Sequence, residues 1–548
     1  MKQLFWLSAS VICVLFTIAG CTKQGLSNAE KGAKEQTLHY SNGDEPKSID
    51  PYLTTGSPDN NIIMNLFEGL VSKNPETLNP EPGVAQSWQI SEDGRVYTFK
   101  IRENARWSNG DSVTSEDFLF SFRRALMPTL PNQYAYMLFY VEGAKDYYEG
   151  KLKDFADVGF SAPDPKTLVI TLTHPNSFFL QLLGHHSYYP VHKATIEKFG
   201  PIDDASSKWI LPGNFVGNGP FELVDWQINK VITLKKSETY WDKDTVKLKT
   251  VHFYPIEDQQ AEERAFRTGK VHLTNTPQMD VEKVAVYKNK NPEVLRIAHT
   301  YSSYYYEFNT TVKPLDDVRV RKAIAYAVDR ELIVSKVTKA GEIPAYSVIP
   351  PNPNGFKPKF YFEYDPERAK ALLAEAGYPG GKGFPGFSIL YNTNDNHRKV
   401  ALAIQQMLKA NLNIDVQLEN KEWKVYMAAR DNLEHDVSRA GWLADFVDAI
   451  NFFDVFRSYS GNNHTAWKNP NYDELLRKVE ATSDTGARNA LFEQANKMLF
   501  DDMPILPLYY YSDVNLVSPA VKNWFDNAMH YHPLKRVYLD ETAQVKLN

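Results

Sequence analysis

The chain has 548 residues, of which 43% are hydrophobic and 23% are charged, so it has the composition of a soluble globular protein but is too long for one ordinary core. Its formal net charge of −6 argues against nucleic acid or an anionic membrane surface as a partner. We therefore expect two or three domains and no nucleic-acid partner.

The first residues predict a secretory leader. Lys2 precedes an uncharged apolar segment, Leu4 to Ala19, which is short for a membrane-spanning helix. The segment ends in Ile18-Ala19-Gly20-Cys21, which resembles the bacterial lipobox, where the cysteine is lipidated and becomes the new N-terminus. We predict a signal peptide over 1–20, lipidation of Cys21 and a polar tether over 21–35. An uncleaved membrane anchor is the alternative.

Strand and helix patterns alternate from Gln36 to the end of the chain, without repeats or low-complexity segments. The alternating apolar patterns predict strands over 37–40, 97–102, 167–172, 231–235, 250–254, 388–391, 415–418 and 507–511. Helical spacing and capping signals predict helices over 61–69, after Thr114-x-x-Asp117, and over 319–337, 365–377, 398–410 and 472–499. This mixture indicates an α/β fold class, and the lack of an obvious linker is typical of interleaved domains.

The stretch from Ser438 to Asp448 concentrates residues that could hold a small zwitterion. Arg439 offers a planar cation, Trp442 a flat apolar wall and Asp445 a fixed anion, so a carboxylate and an ammonium could bind at separate points. The alternative is structural: Asp445 caps the following helix and Trp442 belongs to the core.

Enzyme signatures are absent from the sequence. It has no His-Glu-x-x-His and no Gly-x-Ser-x-Gly, and Gly380-Gly381-Lys382-Gly383 lacks the spacing of a phosphate-binding loop. Cys13 lies in the leader, so Cys21 alone would remain, which excludes a disulfide, a catalytic thiolate and a cysteine metal site. His185 and His186 are adjacent, and on a strand they would point to opposite faces. We expect no enzyme activity, no metal and no cofactor.

Ordered motifs occur along the chain. They are Asn65-Leu66-Phe67-Glu68-Gly69-Leu70, Pro82-Gly83-Val84-Ala85-Gln86-Ser87-Trp88, Asp93-Gly94-Arg95-Val96-Tyr97-Thr98-Phe99, Trp107-Ser108-Asn109-Gly110, Asn218-Gly219-Pro220-Phe221, Tyr304-Tyr305-Tyr306-Glu307, Asp317-Val318-Arg319-Val320-Arg321 and Arg439-Ala440-Gly441-Trp442. In this order they resemble the solute-binding proteins of peptide ABC importers, and most of all the members that bind oligopeptides. A cysteine pair of some members appears here as Ser302 and Leu443.

This resemblance implies a two-lobed periplasmic-binding-protein clamp (class II, cluster C) with an additional inserted domain. It places lobe I at 36–67, 192–296 and 513–548, the inserted domain II at 68–191 and lobe III at 297–512. The hinge strands would lie near 296–306 and 509–513, and ligand contacts that span both lobes would favour the closed state.

The resemblance also implies which residues hold the two ends of a peptide. Asp445 matches the aspartate that pairs with the α-ammonium group. Arg439, His397 and Arg430 match the cations that receive the terminal carboxylate, each suiting a different peptide length.

Two further sets match the backbone and the side chains of the ligand. Backbone that pairs with the extended peptide like added strands matches Thr55, Gly56, Ser57, Gly441, Trp442 and Leu443. Walls of roomy, hydrated side-chain pockets match Trp423, Tyr134 and Tyr511, as well as Trp442.

The implied function is that of a lipid-anchored receptor in the periplasm or at the cell surface, which captures short oligopeptides and delivers them to an ABC permease. We expect a monomer attached to the membrane only through its lipid. The same fold with another ligand (murein tripeptide, dipeptide, haem or a nickel chelate) is the alternative, followed by a lipid-anchored hydrolase and by an adhesion or signalling protein.

Overall fold

The computed structural model describes residues 26–275, 279, 281–351, 356–482 and 484–543, so the predicted signal peptide, Cys21 and the first part of the predicted tether lie outside the described residues. The strands are β1 (Thr37–Ser41), β2 (Val71–Lys73), β3 (Pro80–Pro82), β4 (Ala85–Ile90), β5 (Val96–Ile101), β6 (Phe160–Asp164), β7 (Thr167–Thr171), β8 (Phe221–Gln227), β9 (Val231–Lys236), β10 (Thr250–Tyr254), β11 (Leu295–Phe308), β12 (Ile343–Pro344), β13 (Phe387–Asn392), β14 (Val416–Lys421), β15 (Val437–Leu443), β16 (Ile505–Leu516), β17 (Val521–Lys522) and β18 (Tyr538–Leu539).

Helices of very different length connect these strands. They are α1 (Asn28–Glu35), α2 (Ser57–Leu66), α3 (Ser115–Ala125), α4 (Ala144–Tyr148), α5 (Phe179–Leu182), α6 (Lys193–Phe199), α7 (Gln259–Arg267), α8 (Val281–Lys290), α9 (Val318–Ala327), α10 (Arg330–Leu332), α11 (Pro366–Glu375), α12 (Asp395–Leu412), α13 (Trp423–Asp431), α14 (Ile450–Asp454), α15 (Pro470–Glu480) and α16 (Thr485–Asp502). Short 3₁₀ helices include Ala135–Tyr140 and His186–Tyr188, and a π-helical turn covers Ile333–Thr338. Among the residues described, no helix has the length and apolar character that crossing a bilayer requires.

Three sheets organise the molecule. The sheet of lobe I has the strand order β1-β10-β9-β8, the sheet of the inserted domain has the order β4-β5-β7-β6, and the sheet of lobe III has the order β12-β16-β11-β15-β13-β14. We use these sheets to define lobe I, the inserted domain and lobe III. The residue limits assigned to these units from the sequence remain a prediction.

Several predicted elements are confirmed with their boundary signals. β10 has the predicted limits of 250–254, and the Thr114–Asp117 capping box precedes α3. α11 begins after the N-cap Asp365, and Gly377 follows its end at φ 99°, a left-handed conformation that glycine adopts without steric cost.

Other predicted elements need correction. Residues 28–35, predicted as tether, form α1, because Ser27 and Glu30 make a capping box and the Ala29 N–H donates to the Gly269 carbonyl of lobe I at 2.8 Å. The helix predicted over 61–69 is α2, which begins at Ser57 after Gly56 and ends at Leu66.

Two long predicted helices are interrupted. The helix predicted over 319–337 ends at Ala327, because Val328 adopts extended backbone angles and Asp329 caps a new start. The helix predicted over 472–499 is divided into α15 and α16, and Asp484 caps the second of them. In both cases an aspartate side chain accepts a backbone N–H and begins a new helix.

Strands β11 and β16 carry the chain between lobe I and lobe III. They pair antiparallel along most of their length, with a register shift between His299 and Ser303. On its other edge β11 pairs with β15, where Ser302 lies opposite Leu443. The two positions that replace a cysteine pair in some relatives are therefore direct neighbours across the sheet.

A buried ion pair ties the inserted domain to lobe I. Arg124 of α3 donates from Nη1 and Nη2 to the two oxygens of Asp50 at 3.0 and 2.6 Å, and its Nε donates to the Ile202 carbonyl at 2.7 Å. Both side chains are fully buried. Such a pair adds little over apolar packing, but the loss of one partner strands a charge away from water.

We predict that Arg124→Met lowers the free energy of unfolding by about 3–5 kcal/mol, since it leaves Asp50 buried without its partner. Urea unfolding followed by fluorescence measures the change. Arg123→Met is the matched control, because Arg123 is exposed on the same helix and should change stability by less than about 0.5 kcal/mol. Equal effects of the two substitutions would contradict the structural role of the pair.

Candidate functional site

A cavity of about 280 Å³ lies between the lobes. All the residues that the sequence analysis predicted to contact a ligand line it. These residues are Thr55, Gly56, Ser57, Tyr134, His397, Trp423, Arg430, Arg439, Gly441, Trp442, Leu443, Asp445 and Tyr511. They come from lobe I, the inserted domain and lobe III, so the cavity exists only because the three parts are brought together.

Asp445 lies at one end of this cavity, two residues after β15. Its Oδ1 accepts from Nε2 of His185 at 3.1 Å and from the hydroxyl of Tyr134 at 3.4 Å, and its Oδ2 accepts from Nδ2 of Asn451 at 3.2 Å. Nδ1 of His185 accepts the Ser187 N–H at 3.2 Å, which places the imidazole proton on Nε2. The carboxylate is thus oriented by three side-chain donors, and within the described residues no lysine or arginine is bonded to it.

Asn451 explains why Asp445 is directed into the cavity. Its Oδ1 accepts from the Asp445 N–H at 3.1 Å and from Nε1 of Trp442 at 2.9 Å. The following helix, α14, begins at Ile450 with Ala449 as its N-cap. The first part of the structural alternative, in which Asp445 caps that helix, is therefore wrong. Its second part is confirmed, since Trp442 belongs to the buried hydrophobic core.

Arg439 lies on β15, six residues before Asp445, and also lines the cavity. Its Nη2 donates to the hydroxyl of Tyr511 at 2.5 Å, its Nη1 donates to Oδ1 of Asn392 at 3.4 Å, and the guanidinium lies 5.0 Å from the ring centre of Tyr304. Within the described residues no carboxylate reaches ion-pair distance, and the buried Nε has no hydrogen-bond partner. A buried guanidinium with a spare donor is suited to receive an anion.

The other two predicted cations differ from Arg439. Arg430 is already paired, since its Nε and Nη2 donate to Oε2 of the buried Glu307 at 3.1 and 2.8 Å. Burial and the nearby Arg439 lower the pKa of His397 well below its usual value, so this imidazole is neutral. Arg439 is therefore the cation of the three that lacks a counter-charge in the described structure.

One edge of β15 is open towards the cavity. β15 pairs with β13 only at Val437 and Ser438, whereas its pairing with β11 continues to Leu443. Beyond Ser438 the backbone groups on the β13 side therefore have no strand partner, which is the arrangement that accepts an added strand.

Glycine permits close approach on both sides of the cavity. A Cβ atom at Gly441 would lie 2.8 Å from the Tyr511 hydroxyl, and a Cβ atom at Gly56 would lie 3.1 Å from the ring of Trp423. Trp423 stacks on Tyr426 at a centroid distance of 5.7 Å, and its Nε1 has no partner. The aromatic walls are thus fixed by packing while polar atoms remain available to a ligand.

The sequence analysis missed several cavity residues, among them Asp44, Lys73 and the pair His185 and His186. The expectation that the two histidines point to opposite faces of a strand is wrong, because His185 caps a 3₁₀ helix and the two ring centres are 4.1 Å apart. The positions of these residues in the sequence do not indicate a site, because only contacts between distant parts of the chain bring them to the cavity.

The potential metal-ligating atoms of Asp513, His530 and His532 lie within 4.8 Å of one another, which is close enough for one metal ion to contact all three. Nδ1 of His530 is hydrogen-bonded to Oδ2 of Asp513 at 2.6 Å, and Nε2 is hydrogen-bonded to Oδ1 of Asn275 at 2.7 Å. Although burial opposes it, Asp513 raises the pKa of His530. Both ring nitrogens of His530 are therefore already engaged by acceptors.

Contacts outside the cavity also join lobe III to the rest of the molecule. Nζ of Lys47 lies 3.1 Å from Oδ2 of Asp431, and the Tyr140 hydroxyl donates to Oδ2 of Asp454 at 2.6 Å. Phe178 stacks on Phe446 at a centroid distance of 4.6 Å. These contacts describe a closed clamp.

Comparisons with known proteins agree with this architecture. The sequence model for "Bacterial extracellular solute-binding proteins, family 5 Middle" matches residues 79–464. The periplasmic oligopeptide-binding protein OppA of Salmonella typhimurium is 36% identical over 549 residues, which cover 98% of each chain. The structure of Haemophilus influenzae OppA in complex with RPPGFSPFR is similar, with 36% identity, a TM-score of 0.87, and coverage of 92% of this chain and 99% of that one.

A third relative is informative about the arrangement of the lobes. The Escherichia coli murein tripeptide-binding protein MppA is similar, with 33% identity, a TM-score of 0.87, and coverage of 92% of this chain and 98% of that one. The unliganded open form of MppA gives a TM-score of only 0.61 at 32% identity and the same coverage. The predicted two-lobed fold is confirmed, and the lobes here are not arranged as in that open form.

We predict that Tyr140→Phe weakens closure about tenfold, because it removes a buried hydrogen bond to a carboxylate, worth about 1.5 kcal/mol, that joins the inserted domain to lobe III. Amide hydrogen exchange at residues 453–459 measures the change as a faster rate. Tyr188→Phe is the matched control, since the Tyr188 hydroxyl donates to the Met137 carbonyl within the inserted domain. Unchanged exchange in Tyr140→Phe would contradict a role of this contact in closure.

Proposed function

Because the chain belongs to the bacterial extracellular solute-binding proteins of family 5, we propose that it is the extracytoplasmic receptor of an ABC importer and that it binds short peptides between its lobes. It encloses the peptide on closure and delivers it to the permease. It acts as a monomer and is not an enzyme, in keeping with a family of solute-binding proteins.

The observation that carries this proposal is the pairing of an oriented anion and an unpaired cation in one enclosed cavity. Asp445 and Arg439 are six residues apart, so an extended backbone separates them by at most about 20 Å. A peptide of five residues spans at most about 17 Å when extended. The distance suits a short peptide whose ammonium binds at Asp445 and whose carboxylate binds at Arg439.

Main-chain contacts supply affinity without selecting side chains. The open edge of β15, at Gly441, Trp442 and Leu443, pairs with the extended peptide, and the segment 55–57 faces it from lobe I. The walls formed by Trp423, Tyr134 and Tyr511 enclose side-chain pockets, in which water adapts the polar surroundings to different residues.

The three predicted carboxylate-binding residues have unequal roles in this proposal. Arg439 is the main acceptor, because it has no counter-charge to lose. His397 contributes only when an arriving carboxylate stabilises its protonated form. Arg430 contributes least, because a carboxylate would have to compete with Glu307.

The distinction from relatives with other ligands rests on Asp445. MppA is named for a murein tripeptide, so the fold alone does not define the ligand. A carboxylate without a lysine or arginine partner favours any ligand with a free amino group and disfavours one that lacks it.

We also propose that the mature chain is anchored through a lipid on Cys21 at the periplasmic or outer face of a membrane. Seven residue steps lead from Cys21 to the start of α1 at Asn28. They span at most about 25 Å, so the anchor would hold lobe I close to the lipid surface.

The function is tested by calorimetric titration with the tripeptide Ala-Ala-Ala and its N-acetylated form. We predict that the protein binds the free peptide and that Asp445→Asn weakens this binding about 10- to 100-fold, since a charge-assisted hydrogen bond is lost. The acetylated peptide lacks the ammonium group and should lose less than about threefold in the same variant.

Absence of binding by the unmodified protein would overturn the peptide-receptor proposal. Equal losses for the free and the acetylated peptide would instead remove Asp445 from the ammonium site.

The anchor is tested separately. We predict that Cys21→Ser moves the protein from the membrane fraction to the soluble fraction of cells, because the lipid can no longer be attached. A variant that stays with the membranes would show that the leader is an uncleaved anchor. A substitution in the leader outside the lipobox, Ser8→Ala, is the control and should leave the fractionation unchanged.

A further inference from the structure

Lys73 is a buried cation at the same end of the cavity as Asp445. It ends β2, its side chain is 5% exposed, and its Nζ donates to the backbone carbonyl of Asp445 at 2.7 Å. Nζ also lies 5.6 Å from the ring centre of Tyr531. Because Lys73 bonds the carbonyl of the residue whose carboxylate faces the cavity, the two charges are immediate neighbours.

The position of Lys73 is fixed by packing. A Cβ atom at Gly184 would lie 2.9 Å from Cε of Lys73, so the absence of a side chain at this position leaves room for the lysine stem. Gly184 and Tyr531 also line the cavity, which places the ammonium at its wall rather than in solvent.

The hydrogen bonds of this ammonium are incomplete. A lysine ammonium has three donors, and within the described structure Nζ has one hydrogen-bond acceptor and no carboxylate at ion-pair distance. Burial lowers the pKa of Lys73 to about 8, an effect that Asp445 opposes, so the side chain is still mostly charged at neutral pH. Two donors of a buried cation are therefore available to a ligand.

The charges at this end of the cavity are unbalanced when a peptide binds. Asp445 contributes one negative charge, and Lys73 together with the α-ammonium of the peptide would contribute two positive charges. His185 donates from Nε2 to Asp445 and adds no negative charge. Uncompensated like charges away from water are costly, and a carboxylate supplied by the ligand would remove the excess.

We propose that Lys73 is a subsite for a carboxylate on the first residue of the peptide, so that the cavity prefers peptides beginning with aspartate or glutamate. This proposal rests on the peptide-receptor function and extends it. Asp445 binds the ammonium and Lys73 binds the side-chain carboxylate of the same residue.

A purely structural role of Lys73 gives a different expectation. The bond between Lys73 and the Asp445 carbonyl joins the parts of the molecule on the two sides of the cavity. If this were its only role, removal of the ammonium would weaken closure on every peptide by the same factor, regardless of the first side chain.

The test compares two peptides that differ by one charge, Asp-Ala-Ala and Asn-Ala-Ala, by calorimetric titration at pH 7. We expect the unmodified protein to bind Asp-Ala-Ala about 10- to 100-fold more tightly, as for a charge-assisted hydrogen bond. Lys73→Met should abolish this ratio while it retains binding of Asn-Ala-Ala. Lys166→Met, which removes a lysine outside the cavity, is the control and should preserve the ratio.

The outcomes separate this proposal from the function on which it rests. Equal affinities of the unmodified protein for the two peptides would overturn the Lys73 subsite and leave the peptide receptor intact, and this result does not depend on how any variant folds. A ratio that persists in Lys73→Met would also overturn it. Binding of neither peptide would instead contradict the proposed function.

Discussion

The pairing of β11 with both β15 and β16 is the interaction on which the site depends. β11 presents β15 to the cavity on one side and holds β16, the second connection between the lobes, on the other. Glu307 of β11 also neutralises Arg430, and Tyr304 of the same strand packs against Arg439. A single strand therefore positions the proposed peptide-binding edge, contacts two of the three arginine and histidine candidates, and connects the lobes.

Whether a buried charged group can bind a ligand depends on the partners that it already has in the structure. Arg124 and Arg430 are buried and satisfied by carboxylates, so a carboxylate of the ligand would have to compete with an existing partner at either of them. Arg439, Asp445 and Lys73 have no carboxylate, lysine or arginine at ion-pair distance among the described residues. Such buried groups gain most when a ligand brings the opposite charge, and this difference separates the structural charges from those that we propose to bind the ligand.

Local patterns in the sequence predicted local structure well. The limits of β10 and the capping of α3 and α11 depend on residues adjacent in the chain, and they were confirmed. The break at Val328 and the docking of residues 28–35 depend on competing caps and on contacts with lobe I, so propensity alone predicted one long helix and a tether. Motif resemblance was enough to locate the cavity residues. The sequence could not predict that Arg430 pairs with a residue 123 positions away or that Lys73 is buried, because both depend on the tertiary fold.

The closed clamp has a kinetic consequence. The bonds between Lys47 and Asp431 and between Tyr140 and Asp454 join the lobes without depending on the occupant of the cavity. Every bound peptide must wait for the same contacts to break before it can leave, so these contacts contribute to the barrier of every dissociation. The protein's own share of that barrier is therefore the same for every occupant, and differences in residence time between peptides come from the contacts that each peptide makes itself.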